Sequence, residues 1–512
     1  MGFTGVRFYI FAAAVVLVYY VLPKKGQWLV LLAASLGFYA TYGLEMLPYM
    51  LASSVIAYGG GLWITKLQTV ERDWKPAERK LKTKRVLLLC VAALVLLLAY
   101  AKVGTWVLRG VAGWLSLKNA DSLKAIVALG VSYYTFSLIS YLADIYWRRD
   151  QAEKNYFKLL LFVVYFPKVL QGPISRHKEL SPQFFTPHKL DYKEFCFGLQ
   201  LMLWGYFKKL VIADRLAIFV NRVFLNVTEE TGAHLLVAAC LAVIQLYCDF
   251  SGCMDIARGF SQILGLRLAK NFDRPFFSKS AAEFWRRWHI TLGTWFKDYI
   301  YMPLVISPKL LGVSKKLRDK FGPRAGKAFM AIVPLTAVWL LTGIWHGTGW
   351  NYITWGLYWG ALIIASTIFA PEIKTLTQKL KINTEAWSWQ LFQMVRTFGF
   401  FVFGHILVIS NKVILALVVF KRILLMFHPE NLFDGSLYTL GLDRPNFLMS
   451  LVFIGVLWAV SMLQKKSSVR EQLANSNLVF RWVIYYALFF AIVIFGIYGP
   501  GYDAASFVYE QF

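Results

Sequence analysis

Apolar runs recur along the whole chain, and they limit what it can fold into more than any other feature. They cover Phe8 to Leu22, Trp28 to Tyr42, Val86 to Ala101, Ala125 to Tyr146, Leu235 to Tyr247, Phe329 to Trp345, Phe447 to Leu463 and Val483 to Tyr498. Only 16% of the residues are charged, against roughly 25% in soluble domains. The expected fold class is therefore an all-α integral membrane protein. Several runs fall short of the ~20 residues that cross a bilayer unaided, so some helices are expected to tilt and some only to dip in. Roughly ten to thirteen buried helices follow from that length and hydropathy logic. With no fixed-period repeat and no low-complexity linker, the chain reads as one polytopic domain over 1–512.

Lys and Arg outnumber Asp and Glu by 55 to 28, a formal charge of +27. In a soluble protein that excess would suggest nucleic acid. Here the cations gather in short segments between apolar runs, at Lys24 and Lys25, from Lys66 to Arg85, and at Arg148, Arg149, Lys154 and Lys158. That is the positive-inside pattern, so no nucleic-acid partner is expected and an N-terminus outside the cell places all three clusters on the cytoplasmic side. The first run has no small-residue cleavage site and reads as a retained helix. The five cysteines, Cys90, Cys196, Cys240, Cys248 and Cys253, lie mostly inside apolar runs with no paired metal spacing and read as small core residues.

Polar interruptions stand at Lys66 to Arg85, Lys270 to Lys297 and Ser307 to Lys327. In the second, KNFDRPFFSKSAAEFWRRWHITLGTWFK, charges alternate with aromatics, which predicts amphipathic or re-entrant helix broken at Pro275. The stretch YFPKVLQGPISRHKEL, 165–180, packs Pro167, Gly172 and Pro173 together. Irregular backbone of that kind must be buried in protein or line a wet cavity.

Ionisable residues inside apolar spans are costly and point to function. His346, Asp144, Asp249, Asp255 and His405 qualify. His346 sits in WLLTGIWHGTGW, where Gly343, Gly347 and Gly349 remove side chains and Trp345 and Trp350 offer flat walls. Low-dielectric surroundings disfavour imidazolium, so a neutral ring there is equipped to act as a general base, although a hydrogen-bonded core imidazole would look the same in sequence. His289 lies in EFWRRWHITLGTWFKDYIYMPL, where Arg286 and Arg287 suit either the anionic part of a substrate or lipid headgroups.

Together, EFWRRWHITLGTWFKDYIYMPL and WLLTGIWHGTGWNYITWGLYWG resemble the two signature blocks of the membrane-bound O-acyltransferase family, in its bacterial branch of alginate O-acetyltransferase-like proteins. The likeness extends to GVSYYTFSLISYLADIYWR, YFPKVLQGPISR, GYFKKLVIADRLA, YCDFSGCMDIARG and the closing FVYEQF, over roughly residues 5 to 512. The chain departs from the alginate-type pattern after YMPL, where VISPKLLGVSKKLRDKFGPRAG stands in place of a Gly-Gly-Asn-Arg turn.

The resemblance implies a ring of tilted helices around a central tunnel, with His346 catalytic and His289 the second signature histidine. Trp345, Trp350, Trp288, Arg286, Arg287 and Asp298 are then the substrate-binding candidates. It further implies transfer of an acyl group, expected to be acetyl, from a cytosolic thioester to a hydroxyl of an extracellular polysaccharide or of a relay protein. The donor would be acetyl-coenzyme A or a protein-bound thioester, with no permanently bound cofactor. The expected partners are membrane lipid, the polysaccharide acceptor and an extracytoplasmic acetyl-transfer protein, and the expected location is the cytoplasmic membrane. D-alanyl transfer to teichoic acid is the alternative within the family, against which Pro303 and the long C-terminal half speak. A proton-coupled transporter is the alternative from another class, against which stands the lack of two matching broken helices.

Overall fold

A computed structural model describes residues 1–69, 74–115, 128–465 and 467–498. The described residues are mainly helical, and their single β-bridge joins Phe272 to Trp288. Eight helices among them are long and apolar enough to cross a membrane, or nine if the bent pair Trp350–Ile368 and Ala370–Lys379 is one span. This is a multi-pass membrane protein. The spans number fewer than the ten to thirteen buried helices expected from sequence, because three apolar runs make helices too short to span, the first being the 16-residue Val6–Val21. Gln27–Ala40 has 14 residues and Val131–Tyr146 has 16, about 24 Å at most against a ~30 Å hydrocarbon core. Fifteen of the 16 residues of Val131–Tyr146 are buried, so this helix meets protein on nearly every side.

The cationic stretch from Lys66 to Arg85 is not a loop at its ends: Lys66 closes helix Leu47–Thr69, and Pro76 opens the 39-residue helix Pro76–Trp114. Residues 70–73 of that stretch, 125–127 of the fourth apolar run and the closing 507–512 lie outside the described residues. Ser307 to Lys327 likewise forms helix, Pro308–Phe321, with no buried residue. Gly322, with φ 88°, then turns the chain into the apolar helix Pro323–His346.

By internal contacts the described residues form two compact units, Met1–Leu203 with Cys253–Ala269, and Trp204–Gly252 with 270–498. In the first, helix Tyr156–Val164 gives way to a single turn, Phe166–Val169, and then to irregular backbone as far as helix His177–Phe185. Residues 165–177 of this stretch are buried throughout, so the Pro and Gly residues do interrupt a span and the interruption is enclosed by protein. Gly130, with φ 70°, is required beside it, since a Cβ there would lie 1.9 Å from the Val169 carbonyl oxygen.

The second unit holds His289 and His346. A π-helical turn, Phe207–Ala213, interrupts the first of its spans. Here Lys209 Nζ lies 2.5 Å from Asp249 Oδ1 and 3.0 Å from Asp214 Oδ1, and Lys208 Nζ donates to Ser251 Oγ at 2.8 Å. Asp249, one of the ionisable residues singled out in the apolar spans, is thus one arm of a buried ion cluster. Asp255, on the same helix, faces Arg258 at 3.5 Å.

Candidate active site

Helix Pro323–His346 stops at His346 because the next three residues, Gly347, Thr348 and Gly349, carry two glycines in extended backbone. The chain folds straight back into helix Trp350–Ile368. The two helices cross very closely: a Cβ on Gly356 would stand 2.4 Å from the Trp339 carbonyl oxygen, and one on Gly343 would stand 2.6 Å from that of Tyr352. Small residues at both crossing points are what let the backbones approach. Gly356→Ala is expected to destabilise the protein by roughly 1–3 kcal/mol through overpacking, seen as a lower thermal midpoint in detergent.

The crossing fixes His346 in a cage of indoles. Its ring centroid lies 4.7 Å from Trp345, nearly perpendicular, and 4.7 Å from Trp355. The ring is only 8% exposed. Nδ1 is 2.7 Å from the carbonyl oxygen of Thr342, one turn back on the same helix. A carbonyl can only accept, so Nδ1 carries the hydrogen and donates it. In the neutral ring Nε2 then holds the lone pair, which is the tautomer a general base needs. The Thr342 hydroxyl donates to the Val338 carbonyl at 2.7 Å and is thereby committed to its own helix.

His289 is placed by a different device. It adopts left-handed backbone, φ 45° and ψ 52°, at the start of helix Ile290–Phe296. For a residue with a Cβ this conformation costs of order 1–3 kcal/mol and persists only where the surroundings over-determine it. Asn271 supplies that constraint: its carbonyl accepts from Ile290 N–H at 3.0 Å, and its side-chain oxygen accepts from Thr291 N–H at 3.0 Å and from the Thr291 hydroxyl at 2.7 Å. The neighbouring Phe272–Trp288 bridge and the 2.9 Å bond from Asp273 N–H to the Arg287 carbonyl continue the pairing. Asn271→Ala removes two of these bonds from buried groups. A loss of roughly 2–4 kcal/mol is expected at about 1–2 kcal/mol each, and chemical denaturation of the detergent-solubilised protein would measure it.

The imidazole of His289 is 2% exposed, 4.9 Å from the Phe250 ring and 6.0 Å from the Trp345 ring, so the indole of Trp345 faces both histidines. Burial, reinforced by the proximity of His346, holds the basicity of His289 well below the usual 6.5, and the ring is neutral at physiological pH. As pH falls through 6.5 the unfolded chain takes up a proton here that the native state does not. The stability contributed is thus present in full above that pH and is lost progressively below it. His289→Gln is expected to flatten the decline of the thermal midpoint between about pH 7 and 5.

The remaining candidates from sequence divide into those the structure gathers and those it does not. Trp345 and Trp288 are buried, at 7% and 2% exposure, with Trp288 packed on Phe272, Phe284 and Phe401. Arg287 is tied to Glu283 at 2.7 Å, and Glu283 in turn accepts from Lys279 N–H and is capped by Ser280. Arg286 points to the exterior, and Asp298 is half-buried in a π-helical turn, Lys297–Tyr301. Trp350, expected as a wall for His346, is instead 76% exposed at the head of its helix, and Trp355 stands against the ring. The space beside Gly347 is filled by Tyr352, whose ring a Cβ there would meet at 2.2 Å. Asn271, Thr342, Trp355 and Phe250 were not singled out in the sequence. Thr342 lay within reach of inspection, one helical turn before His346, whereas Asn271 reaches His289 across an intervening turn and helix and Phe250 comes from another helix.

The model of the membrane-bound O-acyltransferase family, MBOAT, matches residues 148–410, a span that holds His289 and His346. The chain belongs to this family. Its relatives in the membrane-bound O-acyltransferase family include the Probable alginate O-acetylase AlgI of Azotobacter vinelandii, 33% identical over 343 residues, which cover 67% of this chain and 64% of the relative. The Peptidoglycan O-acetyltransferase of Helicobacter pylori is 32% identical over 361 residues, covering 65% of this chain and 62% of the relative. The Teichoic acid D-alanyltransferase of Bacillus subtilis is 28% identical over 291 residues, covering 54% and 67%. The chain therefore spans about two thirds of the length of these relatives.

Proposed function

We propose that this protein is an O-acyltransferase of the cytoplasmic membrane that moves an acetyl group from a cytosolic thioester to a hydroxyl of a cell-envelope polysaccharide, directly or through an extracytoplasmic relay protein. The observation that carries this reading is the His346 ring, held by Thr342 as the Nδ1–H tautomer between two indoles. Nε2 takes the proton of the acceptor hydroxyl as its oxygen attacks the thioester carbonyl. The new C–O bond forms, the C–S bond breaks, and the proton passes from Nε2 to the departing thiolate. A positioned base of this kind contributes typically ~10² to 10⁴ in rate. The indole walls exclude water that would otherwise hydrolyse the thioester. Neutral His289, one indole away, orients the donor or stabilises the charge that develops at the carbonyl.

The tunnel, the acetyl group and the thioester donor belong to this proposal by family analogy, and so do Arg286, Arg287, Trp288 and Asp298 as substrate contacts. The names of the alginate and peptidoglycan relatives favour acetyl, and that of the teichoic acid relative favours D-alanyl. Purified protein in lipid vesicles, given acetyl-coenzyme A or a D-alanyl thioester together with a polysaccharide acceptor, separates the two. Acetyl ester on the polymer, found by mass spectrometry, is the expected product. D-alanyl ester alone would reassign the acyl group, and neither product with any thioester would refute the reading.

A further inference from the structure

A second histidine site lies at the head of helix Gly232–Ile263 and uses none of the residues described above. His234 is in the first turn of that helix and is 7% exposed. Its Nδ1 lies 2.8 Å from Glu230 Oε2, and its Nε2 lies 2.8 Å from Ser436 Oγ. A carboxylate only accepts, so Nδ1 carries the hydrogen and Nε2 receives the hydroxyl proton of Ser436. The same hydroxyl is 3.2 Å from the Asn431 carbonyl oxygen, a longer and competing contact. Hydroxyl, imidazole and carboxylate thus stand in the order and at the spacing by which a serine is activated as a nucleophile.

Both sides of the site are fixed independently of that contact. On the helix side, Gly232 and Ala233 donate their N–H groups to the Met426 and Phe427 carbonyls, each at 2.8 Å, and Arg422 Nε donates to the Glu230 carbonyl at 2.7 Å. On the serine side, Gly435 at φ 90° turns the chain, and Asp434 takes bonds from Ser436 N–H at 2.8 Å and from the Asn431 side-chain amide at 2.7 Å. Ser436 itself is half-buried, while Asp434, two residues earlier, is exposed and Phe433 is 88% exposed. The nucleophile is thereby at an edge that a small ester can reach, and an aromatic face stands three residues away.

We propose that Ser436, His234 and Glu230 form a second acyl-handling centre, a serine esterase site for short O-acyl esters. Ser436 Oγ attacks the ester carbonyl while its proton moves to His234 Nε2. The ester C–O bond breaks, the leaving alkoxide takes that proton, and the acyl group remains on Ser436. Water then attacks the acyl-serine, gives a proton to Nε2 and releases the carboxylic acid as Ser436 Oγ recovers it. Glu230 positions the imidazole and holds its tautomer.

The test uses the full chain in detergent with two probes, a fluorophosphonate for covalent capture and p-nitrophenyl acetate for turnover. The adduct is expected on the peptide bearing Ser436, both in the native protein and in His346→Ala. Ser436→Ala should lose it, His234→Ala should slow its formation at least tenfold, and Glu230→Gln should slow it while Glu230→Asp restores part of the rate. Ser436→Cys, matched to the native protein in thermal midpoint, should react with iodoacetamide faster than it does once His234→Ala is added. A folded native protein that gives no adduct on Ser436, or an adduct whose rate ignores His234, overturns the proposal. Neither result touches the role of His346, because that reaction is read by thioester-dependent transfer.

Discussion

His346→Ala is expected to lower the rate of acyl transfer by about 10² to 10⁴ while leaving the thermal midpoint close to that of the native protein. The ring hydrogen-bonds its own helix through Nδ1 and packs between Trp345 and Trp355. Its removal leaves the Thr342 carbonyl inside helix Pro323–His346, where the backbone N–H four residues on still serves it. The loss should appear in kcat with little change in KM for the donor, since a base acts on the acceptor proton in the transition state. His346→Gln separates the two uses of the ring. A glutamine can still donate to the Thr342 carbonyl, but its amide takes no proton near neutral pH, so fold is expected to survive and transfer to fail. Initial rates with saturating acceptor, compared with thermal midpoints of the same preparations, would measure both.

The largest effect on stability is expected at the ion cluster of the π-helical turn. Lys209 is 2% exposed and lies between Asp249, 3% exposed, and Asp214, 9% exposed. Lys209→Met removes the cation and leaves two carboxylates facing one another in an apolar span. Breaking a buried pair from one side typically costs ~3–5 kcal/mol, because the remaining charge is uncompensated. Asp249→Asn in the same chain should recover part of that cost, and the non-additivity of the two changes reports their coupling. Guanidinium or heat denaturation of the single and double variants, followed through the many buried tryptophans, supplies the numbers. Additive losses would mean that the pair does not interact as its 2.5 Å separation requires.

Most of the fold class and half of the site could be read before any coordinates. Hydropathy locates apolar helices because lipid leaves the backbone no other partner, and His346 stands out because an ionisable group among indoles and glycines has a cost that calls for a reason. Contacts across the chain were out of reach. Trp350 was expected beside His346 because it is near in sequence, but the chain restarts its helix at that residue, and Trp355, more than a turn further on, is the one that faces back. The strained backbone of His289 depends on Asn271, eighteen residues earlier, and nothing in the period or composition of that segment marks it. Lys66 to Arg85 reads as a polar interruption, yet Lys66 lies in the last turn of one helix and Arg85 well inside the next, whose apolar part lies further on. Helix Val131–Tyr146 lies in an apolar run, and its 16-residue length together with its burial on nearly all sides shows that it supports others.

Vesicles carrying the native protein or His346→Ala, loaded with acetyl-labelled thioester on one side and offered a hydroxyl acceptor on the other, test the role of the ring most directly. Labelled ester should accumulate with the native protein and fall at least about a hundredfold with His346→Ala, the lower bound for a lost general base, when both preparations share one thermal midpoint. Transfer by His346→Ala within a few-fold of the native rate would contradict the assignment of Nε2 as the base.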